Sequence, residues 1–296
     1  MACINGNGRI MIRPYHQKES FMEQSLVSVV TIVFNDVAGI EKTIRSVVEQ
    51  TYPNIEYIII DGGSTDGTVD VIKKYNDKIA FWESKPDNGI YDAMNKGIMN
   101  ASGKWINFMN SGDCFYDNQT IENCIECIST KSKNYKIAYG NFIWKNDHTE
   151  NFVVAKSTIR LHYTMPSAHQ SFLIDTQLHK ENLFDTGYKI AADFDFLCKM
   201  QHKGVRFLKM PVTISVYLAG GLSESMNDVK RKEFKEVFHK YNKSIQRFWY
   251  QHIVSLKLFD AGWRNYCFMN MIKRIIGEKN YEKAVAKIRP SRNRKS

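Results

Sequence analysis

Several aspartates in this sequence follow short apolar runs, where a carboxylate could bind a ligand or accept a proton. Asp61 ends the run Ile55–Ile60 and opens the glycine-rich stretch Asp61–Thr68. In open α/β sheets the carboxyl ends of strands face the ligand crevice, and a helix N-terminus favours anions. Because a carboxylate would repel phosphate, Asp61 is better suited to accept hydrogen bonds from a base or sugar, or to orient a metal ion. The stretch also suits an ordinary strand-to-helix turn, with Asp as cap and Gly at positive φ, and both interpretations stay open.

Two further aspartates lie in comparable places. Asp87 belongs to the loop Ser84–Gly89, which carries Pro and Asn-Gly turn signals. Asp113 closes the tetrapeptide Asn110–Asp113, directly after another apolar run. Asp61, Asp87 and Asp113 are therefore all expected at strand ends or in the adjacent loops.

Four apolar runs alternate with helical patterns and predict the elements that carry these acids. A helical pattern follows the first run, Thr65 or Asp66 is placed to cap a helix after the second, and Ile90–Ala101 is typical of a third helix. The four predicted strands are Val27–Phe34, Ile55–Ile60, Ile79–Glu83 and Trp105–Met109. This alternation predicts a parallel, doubly wound α/β sheet.

The second half of the chain is less regular. Strands are predicted at Ile137–Trp144, Asn151–Ala155 and His169–Ile174, with shorter pieces around Pro211, and helices at Thr120–Ser129 and Ile190–His202. The last of these helices carries Asp193 and Asp195 near its start.

The charge of the chain is divided unevenly. Residues 229–296 hold 18 Lys and Arg against 5 Asp and Glu, whereas the rest of the chain holds 23 against 26. The basic region also carries aromatic and aliphatic residues at helical spacing, a combination that suits an anionic membrane surface. The same helices could instead pack their apolar face on the main domain or on a second subunit, and the two roles are compatible. Cations mixed in this way with large apolar residues argue against nucleic-acid binding, which is the weaker alternative.

Targeting and cysteine patterns indicate a cytoplasmic protein. Residues 1–25 are predicted to form an N-terminal arm before the first strand. Residues 1–21 lack an apolar core, so they are not expected to be a secretory signal. No apolar run approaches the roughly 20 residues that span a bilayer. Cys124 and Cys127 form a lone C-x-x-C without a second pair or a nearby His, so reduced thiols are expected rather than a zinc site.

A dinucleotide-binding oxidoreductase or methyltransferase is disfavoured. Such proteins need a glycine-rich turn after the first strand. Here that strand runs into Phe34–Val37, which contains no G-x-G-x-x-G pattern.

Four motifs in order identify a family resemblance. Val29–Asn35, Asp61–Thr68, Pro86–Gly97 and Asn110–Asp113 together resemble the family-2 glycosyltransferases of the GT-A fold, over about residues 26–216. Within that family the sequence resembles bacterial enzymes of capsule, exopolysaccharide or lipopolysaccharide O-chain assembly. The resemblance implies a GT-A domain over 26–228, a Rossmann-like, mostly parallel α/β sheet, followed by a basic helical region over 229–296.

The resemblance also implies where a nucleotide sugar, with UDP as the favoured nucleotide, would bind. Phe34 would pack on the base, and Asp61 would accept from the uracil N3–H. The implied binding residues are Thr31, Val33, Phe34, Asn35, Asp61, Gly62, Gly63, Ser64, Lys85, Asp87, Gly89, Asp92, Asn95, Asn110, Ser111 and Gly112. Asp113 occupies the metal position of the D-x-D motif, for Mn²⁺ or Mg²⁺, although Ser111 replaces the first acid.

For catalysis the resemblance implies inverting transfer, with Asp193 as the base. Ala192 stands where the family has Glu, and Asp195 is a rival for the role of Asp193. His169 and Gln170 are placed on the acceptor side, although a core or loop His is an equal alternative. The expected acceptor is a lipid-linked oligosaccharide, and a homodimer is left open. Because two family acids are missing, a catalytically inactive protein that binds nucleotide sugars is the alternative function.

Overall fold

The computed structural model describes residues 25–131, 134–158, 161, 164–221 and 226–241, with residues 3–4, 10–11, 273, 277 and 278. Within these ranges one mixed sheet of nine strands forms the centre of the protein. Its strands are β1 (Val27–Val33), β2 (Ile55–Asp61), β3 (Phe81–Ser84), β4 (Trp105–Phe108), β5 (Cys114–Phe115), β6 (Ile137–Lys145), β7 (Glu150–Val153), β8 (Phe172–Asp175) and β9 (Phe207–Leu218). Apart from this sheet, Cys3–Ile4 pairs antiparallel with Ile10–Met11.

Helices connect and cover the strands. They are α1 (Val37–Val48), α2 (Thr68–Lys74), α3 (Ile90–Asn100), α4 (Thr120–Ser129), α5 (Thr176–Lys180), α6 (Ala192–His202) and α7 (Asn227–Tyr241). Short 3₁₀ turns lie at Asn76–Lys78 and His169–Ser171.

The first four long strands confirm the predicted parallel sheet. The strand order is β3-β2-β1-β4-β8-β6-β9-β5, with β7 added beside β6. β1, β2, β3 and β4 are mutually parallel, as repeated β-α units require. β8 then pairs antiparallel with both β4 and β6, while β9 is parallel to β6. The carboxyl ends of β1, β2 and β4 therefore open on the same edge of the sheet.

Apolar residues of alternating sequence position pack on the two faces of the sheet. In β1, Val30 and Ile32 join the core formed with α3 and α6, whereas Val29 and Val33 join the core formed with α1 and α2. All seven residues of β1 are buried, which is why this strand is almost continuously apolar.

Three local predictions differ from the structure. The strand predicted at His169–Ile174 begins only at Phe172, because His169–Ser171 forms a 3₁₀ turn. The pieces predicted around Pro211 form one strand, β9, whose register with β6 shifts between Lys209 and Ser215 and so accommodates a residue without an N–H.

The predicted cap of the second helix also lies elsewhere. α2 starts at Thr68, after Gly67 in the left-handed region at φ 101°. Asp66 still accepts from the Thr68 N–H at 3.0 Å, so its carboxylate serves the helix from one position further out.

The C-terminal prediction is covered only in part. The boundary predicted between 228 and 229 falls within the first turn of α7, and most of the basic region beyond Tyr241 lies outside the described residues. In the part of the chain that the structure describes, every helix is too short or too polar to cross a bilayer.

Buried His179 makes the stability of the folded protein depend on pH. The ring is fully buried and stacks on Phe196 at 4.3 Å between ring centroids. Burial lowers the pKa of His179 to about 3, and backbone groups of His179 and Asn182 oppose this shift only in part. The unfolded chain takes up this proton below its ordinary pKa, so it binds more protons than the folded chain between about pH 6.5 and 3. Stability therefore falls as the pH is lowered through this window.

We expect His179→Phe to remove that dependence. Phenylalanine keeps the aromatic stack but cannot be protonated, so the roughly 2 kcal/mol that this site costs at pH 5 relative to pH 8 should disappear. Urea unfolding at the two pH values measures the difference. His148→Gln, on the exposed β6–β7 turn, is the control, and an unchanged pH dependence in His179→Phe would contradict the assignment.

Candidate active site

Asp61 is enclosed by its own turn. Its buried carboxylate accepts from the N–H groups of Gly63 and Ser64 at 3.1 and 2.9 Å, and from the Ser84 hydroxyl at 2.5 Å. The Ser64 hydroxyl bonds its other oxygen. Asp61 thus joins the end of β2 to the end of β3, and this geometry favours the turn interpretation of the sequence over direct contact with a base.

An exposed aromatic ring and a carboxylate meet beside this turn. The Phe34 side chain, at the end of β1, is 63% exposed. A Cβ placed on Gly62 would lie 2.7 Å from Asp87 Oδ2 and 3.2 Å from the Phe34 ring. Gly62 therefore permits Asp87 and Phe34 to approach each other, and the three residues offer a flat apolar face next to a hydrogen-bond acceptor.

The remaining residues of the β1 end hold the turn in place. Asn35 adopts the left-handed region at φ 49°. Its side chain accepts from the Thr65 N–H at 2.9 Å, and its own N–H donates to Ser64 Oγ at 2.7 Å. Thr31 and Val33 are buried inside the sheet. Thr31 and Val33 therefore support the edge of the site from inside the sheet, whereas Asn35 is exposed and its side chain is bonded to the turn.

The start of α3 contributes polar groups that are mostly engaged with the protein. Asp92 accepts from the Asn88 N–H at 3.0 Å, and Asn95 makes two bonds to the backbone of Phe184. Lys85 is exposed, with Nζ 2.8 Å from Glu83. Asp87 also accepts from the N–H of Gly89, which precedes α3 at φ 110°. These contacts fix the loop around Asp87 and tie α3 to the segment before α6.

The loop after β4 is joined to α1 through a residue that the sequence analysis did not select. Ser111 Oγ donates to Asp36 Oδ2 at 2.6 Å, while Asp36 Oδ1 accepts from the Gly39 N–H and caps α1. Gly112 donates its N–H to Thr43 Oγ1 at 3.0 Å. Asn110 Oδ1 is buried and has no partner among the described residues. The signal for Asp36 was present, since it follows the first strand just as Asp61 ends the second.

Asp113 is buried between two donors. Its side chain accepts from the Leu218 N–H at 2.9 Å and from the Gln170 side-chain amide. Burial raises the pKa of Asp113 to about 6, and these two hydrogen bonds oppose the shift. Gln170 was predicted on the acceptor side, but its amide is turned toward Asp113.

A second carboxylate, that of Asp193, lies near His169, the residue before Gln170. His169, next to Gln170, lies with Nδ1 3.4 Å from Asp193 Oδ2. The Tyr91 hydroxyl is 3.2 Å from Asp193 Oδ1 and 2.7 Å from the carbonyl oxygen of Ile190. Burial, together with the charge of Asp193, raises the pKa of Tyr91 well above its ordinary value. Because Gln170 and His169 are neighbours in the chain, Asp113 and Asp193 are the two ends of one group of residues, linked by two side-chain contacts and one peptide bond.

Asp195 points away from this group. Lys240 of α7 lies 2.8 Å from its carboxylate, which is buried. Asp193, by contrast, lines a small apolar cavity together with His169, Phe108, Phe184 and others. The geometry therefore separates the two rivals on α6: Asp195 forms an ion pair with α7, and Asp193 faces His169 and Tyr91.

The protein side chains near Asp113 provide few ligands for a metal ion. Among the residues that the structure describes, no three His, Cys, Asp or Glu side chains are grouped to hold a cation. Asp113 is one hard carboxylate, which fits Mg²⁺ or Mn²⁺ only when other oxygen ligands come with the substrate, because such ions keep waters and phosphate oxygens in their coordination.

Comparison with known proteins identifies relatives of the chain. The sequence model of Glycosyl transferase family 2 matches residues 28–197, more than half of the chain. An uncharacterized glycosyltransferase of Mycobacterium tuberculosis is 44% identical over 106 residues, which is 36% of this chain and 40% of that protein. The match to this relative thus spans well under half of its length. The PGL/p-HBAD biosynthesis glycosyltransferase of Mycobacterium bovis is 26% identical over 231 residues, covering 72% of this chain and 84% of that one.

Solved structures show the same fold. S. aureus TarS 1–349 in complex with UDP superposes with a TM-score of 0.57 at 16% identity, covering 89% of this chain and 88% of that one. The mannosyltransferase PcManGT of Pyrobaculum calidifontis, in complex with GDP-Man and Mn²⁺, gives 0.53 at 15% identity, covering 88% and 74%. These similarities confirm the predicted GT-A fold.

Proposed function

The chain belongs to glycosyltransferase family 2, and on that premise we propose that it transfers a sugar from a nucleotide sugar to an acceptor hydroxyl with inversion. The observation that carries the proposal is the contiguous group from Asp113 through Gln170 and His169 to Asp193. It offers one carboxylate for the leaving-group side and one for the acceptor side.

Asp193 is the proposed base. As the acceptor oxygen attacks the anomeric carbon, its proton passes to the Asp193 carboxylate, the new C–O bond forms, and the bond to the nucleoside diphosphate breaks. A positioned base of this kind typically contributes about 10²- to 10⁴-fold. His169 and Tyr91 orient the carboxylate, since they lie at its two oxygens. A single base on the acceptor side agrees with inversion.

The donor would lie along the edge formed by β1, β2 and β4. In this proposal Phe34 stacks on the nucleobase of the donor, and Asp87 accepts a hydrogen bond from the nucleobase or the ribose. UDP is favoured as the nucleotide, since TarS is described with UDP and with UDP-GlcNAc, although PcManGT is described with GDP-Man. Either a hexose or an N-acetylhexosamine is the proposed sugar. A divalent cation on Asp113 would supply Lewis-acid stabilisation of the leaving diphosphate.

The proposed acceptor is a lipid-linked oligosaccharide of bacterial surface polysaccharide synthesis, reached at the cytoplasmic face of the membrane. Support comes from the excess of cations in residues 229–296. On α7 the side chains of Arg231, Lys232 and Lys235 are exposed to solvent, where they could meet anionic headgroups.

A donor screen tests the proposal. Thermal shifts with UDP-, GDP- and dTDP-sugars in the presence of Mn²⁺ should identify one ligand class, and transfer of a labelled sugar to lipid-linked acceptors should follow. Binding without transfer to any acceptor or to water would favour an inactive sugar-nucleotide-binding protein. Failure of every nucleotide sugar to bind would refute the proposal.

We expect Phe34→Ala to weaken donor binding about tenfold, because stacking of a base on an aromatic ring contributes about 1–3 kcal/mol. The melting temperature should change little, since the ring is mostly exposed. Calorimetric titration with the identified donor measures the effect. Tyr116→Ala, which removes another half-exposed ring away from this edge, is the matched control. Equal affinities in the two variants would exclude Phe34 from the base site.

A further inference from the structure

Helix α7 lies beyond the residues matched by the family model, but one of its faces packs against α6 and the peptide before it. Glu233, Val237 and Lys240 recur at the i, i+4, i+7 spacing of a single helix face. Glu233 and Val237 are buried, and Lys240 pairs with Asp195. Phe234 stacks on Phe194 with ring centroids 4.4 Å apart and planes 8° from parallel.

Glu233 binds the peptide that leads into α6. One carboxylate oxygen accepts from the Lys189 N–H at 2.9 Å, and the other accepts from the N–H groups of Ile190 and Ala191 at 2.8 and 3.0 Å. α6 begins at Ala192 with Ala191 as its N-cap, so the three N–H groups belong to the N-cap and the two residues before it. Of these, only the N–H of Ala191 is one of the N–H groups that a helix terminus leaves without helical partners. Glu233 therefore anchors the peptide entering α6 and places a negative charge near the helix N-terminus, which the helix dipole favours.

The anchored peptide also determines where Asp193 points. The carbonyl of Ile190, whose N–H is bonded by Glu233, accepts from Tyr91, and the same hydroxyl reaches Asp193. The residue that follows Asp193 in α6, Phe194, stacks on Phe234 of α7. With its neighbours fixed on both sides, Asp193 is directed toward His169.

We propose that Glu233 is a positioning residue for the transfer reaction, acting through the N–H groups of residues 189–191 to orient the Asp193 carboxylate. This inference rests on the proposed role of Asp193 as the base. A small displacement of a catalytic group is enough to slow a reaction greatly. α7 is accordingly part of the catalytic unit and not only a connection to the basic C-terminal region.

Glu233→Gln tests the proposal with little change in volume. The amide retains one acceptor oxygen but turns an NH₂ group toward backbone donors, so we expect kcat to fall about tenfold or more while the donor KM stays within about threefold. Glu233→Asp, which keeps the charge on a shorter stem, should recover part of the loss. Glu236→Gln, on the exposed side of the same helix, should match the wild type.

A second measurement separates positioning from mere destabilisation. Rates are normalised to the folded fraction at the assay temperature, and the His169 ring signals are followed by NMR. Glu233→Gln should shift these signals, because Asp193 is the neighbour of that ring, whereas Glu236→Gln should not. A normal kcat per folded molecule with unshifted His169 signals would overturn the inference alone. A wild-type protein that transfers no sugar would refute the proposed function and, with it, this role of Glu233.

Discussion

Sugar transfer by the Asp193→Asn variant is expected to fall by about 10²- to 10⁴-fold in kcat, with nucleotide-sugar affinity within a few-fold of the wild type. Asparagine has nearly the same shape but cannot take the proton of the acceptor hydroxyl. Its carbonyl oxygen can still accept from Tyr91, so the start of α6 should remain folded. Steady-state transfer kinetics and donor titration, carried out on the same preparation, measure the two quantities.

Asp195→Asn is the matched control, since it makes the same change two residues along the same helix. Loss of the carboxylate charge leaves Lys240 without its ion pair, so a lower melting temperature is expected. Its kcat per folded molecule should nevertheless stay close to that of the wild type. If the two variants exchange these behaviours, Asp195 is the base. If Asp193→Asn loses donor binding to the same extent as activity, the residue belongs to the donor site.

Local patterns were sufficient to predict the sheet that carries the site. β1 and β2 were predicted within one residue of their observed ends, because β1 is fully buried, β2 is buried over its last five residues, and both are mostly apolar runs. Since parallel strands open their carboxyl ends on one edge, the loops carrying Phe34, Asp87 and Asp113 could also be assigned to that edge. The preference for Asp193 over Asp195 agrees with the observed ion pair of Asp195.

Contacts between residues far apart in the sequence could not be predicted from these local patterns. Asp61 stands at the predicted strand end, but its hydrogen bond with Ser84 depends on the register in which β3 pairs with β2. The 3₁₀ turn at His169 follows from packing against Phe108 and from the bond between Gln170 and Asp113. Glu233 lies 42 residues beyond the nearest N–H group that it binds, in a region whose pattern left packing on the main domain open but indicated no partner residue. No periodicity records such a pairing.

Asp113→Asn should lower transfer about 100-fold and raise the Mn²⁺ concentration for half-maximal activity at least about tenfold, because a metal ion on this carboxylate would contribute several kcal/mol. An amide oxygen is a weaker ligand for a hard cation. The change also has a structural cost: asparagine can still accept from the Leu218 N–H, but its NH₂ then faces Gln170, whose amide must turn over to present its oxygen, and two bonds to a charged group become bonds between neutral groups. Activity measured across a Mn²⁺ series, with melting temperatures for each protein, separates the two effects.

Gln170→Ala provides the comparison, because it removes one of the same hydrogen bonds while leaving the carboxylate in place. If Asp113 binds the cation, Gln170→Ala should lose stability but retain the wild-type dependence on Mn²⁺, whereas Asp113→Asn should lose both. Chelation with EDTA should stop the wild type, and added Mn²⁺ or Mg²⁺ should restore it. Equal Mn²⁺ dependence in the wild type and both variants would mean that Asp113 does not bind the cation and has only a structural role, through its bonds to Leu218 and Gln170. Full wild-type activity in EDTA would remove the cation from the reaction altogether.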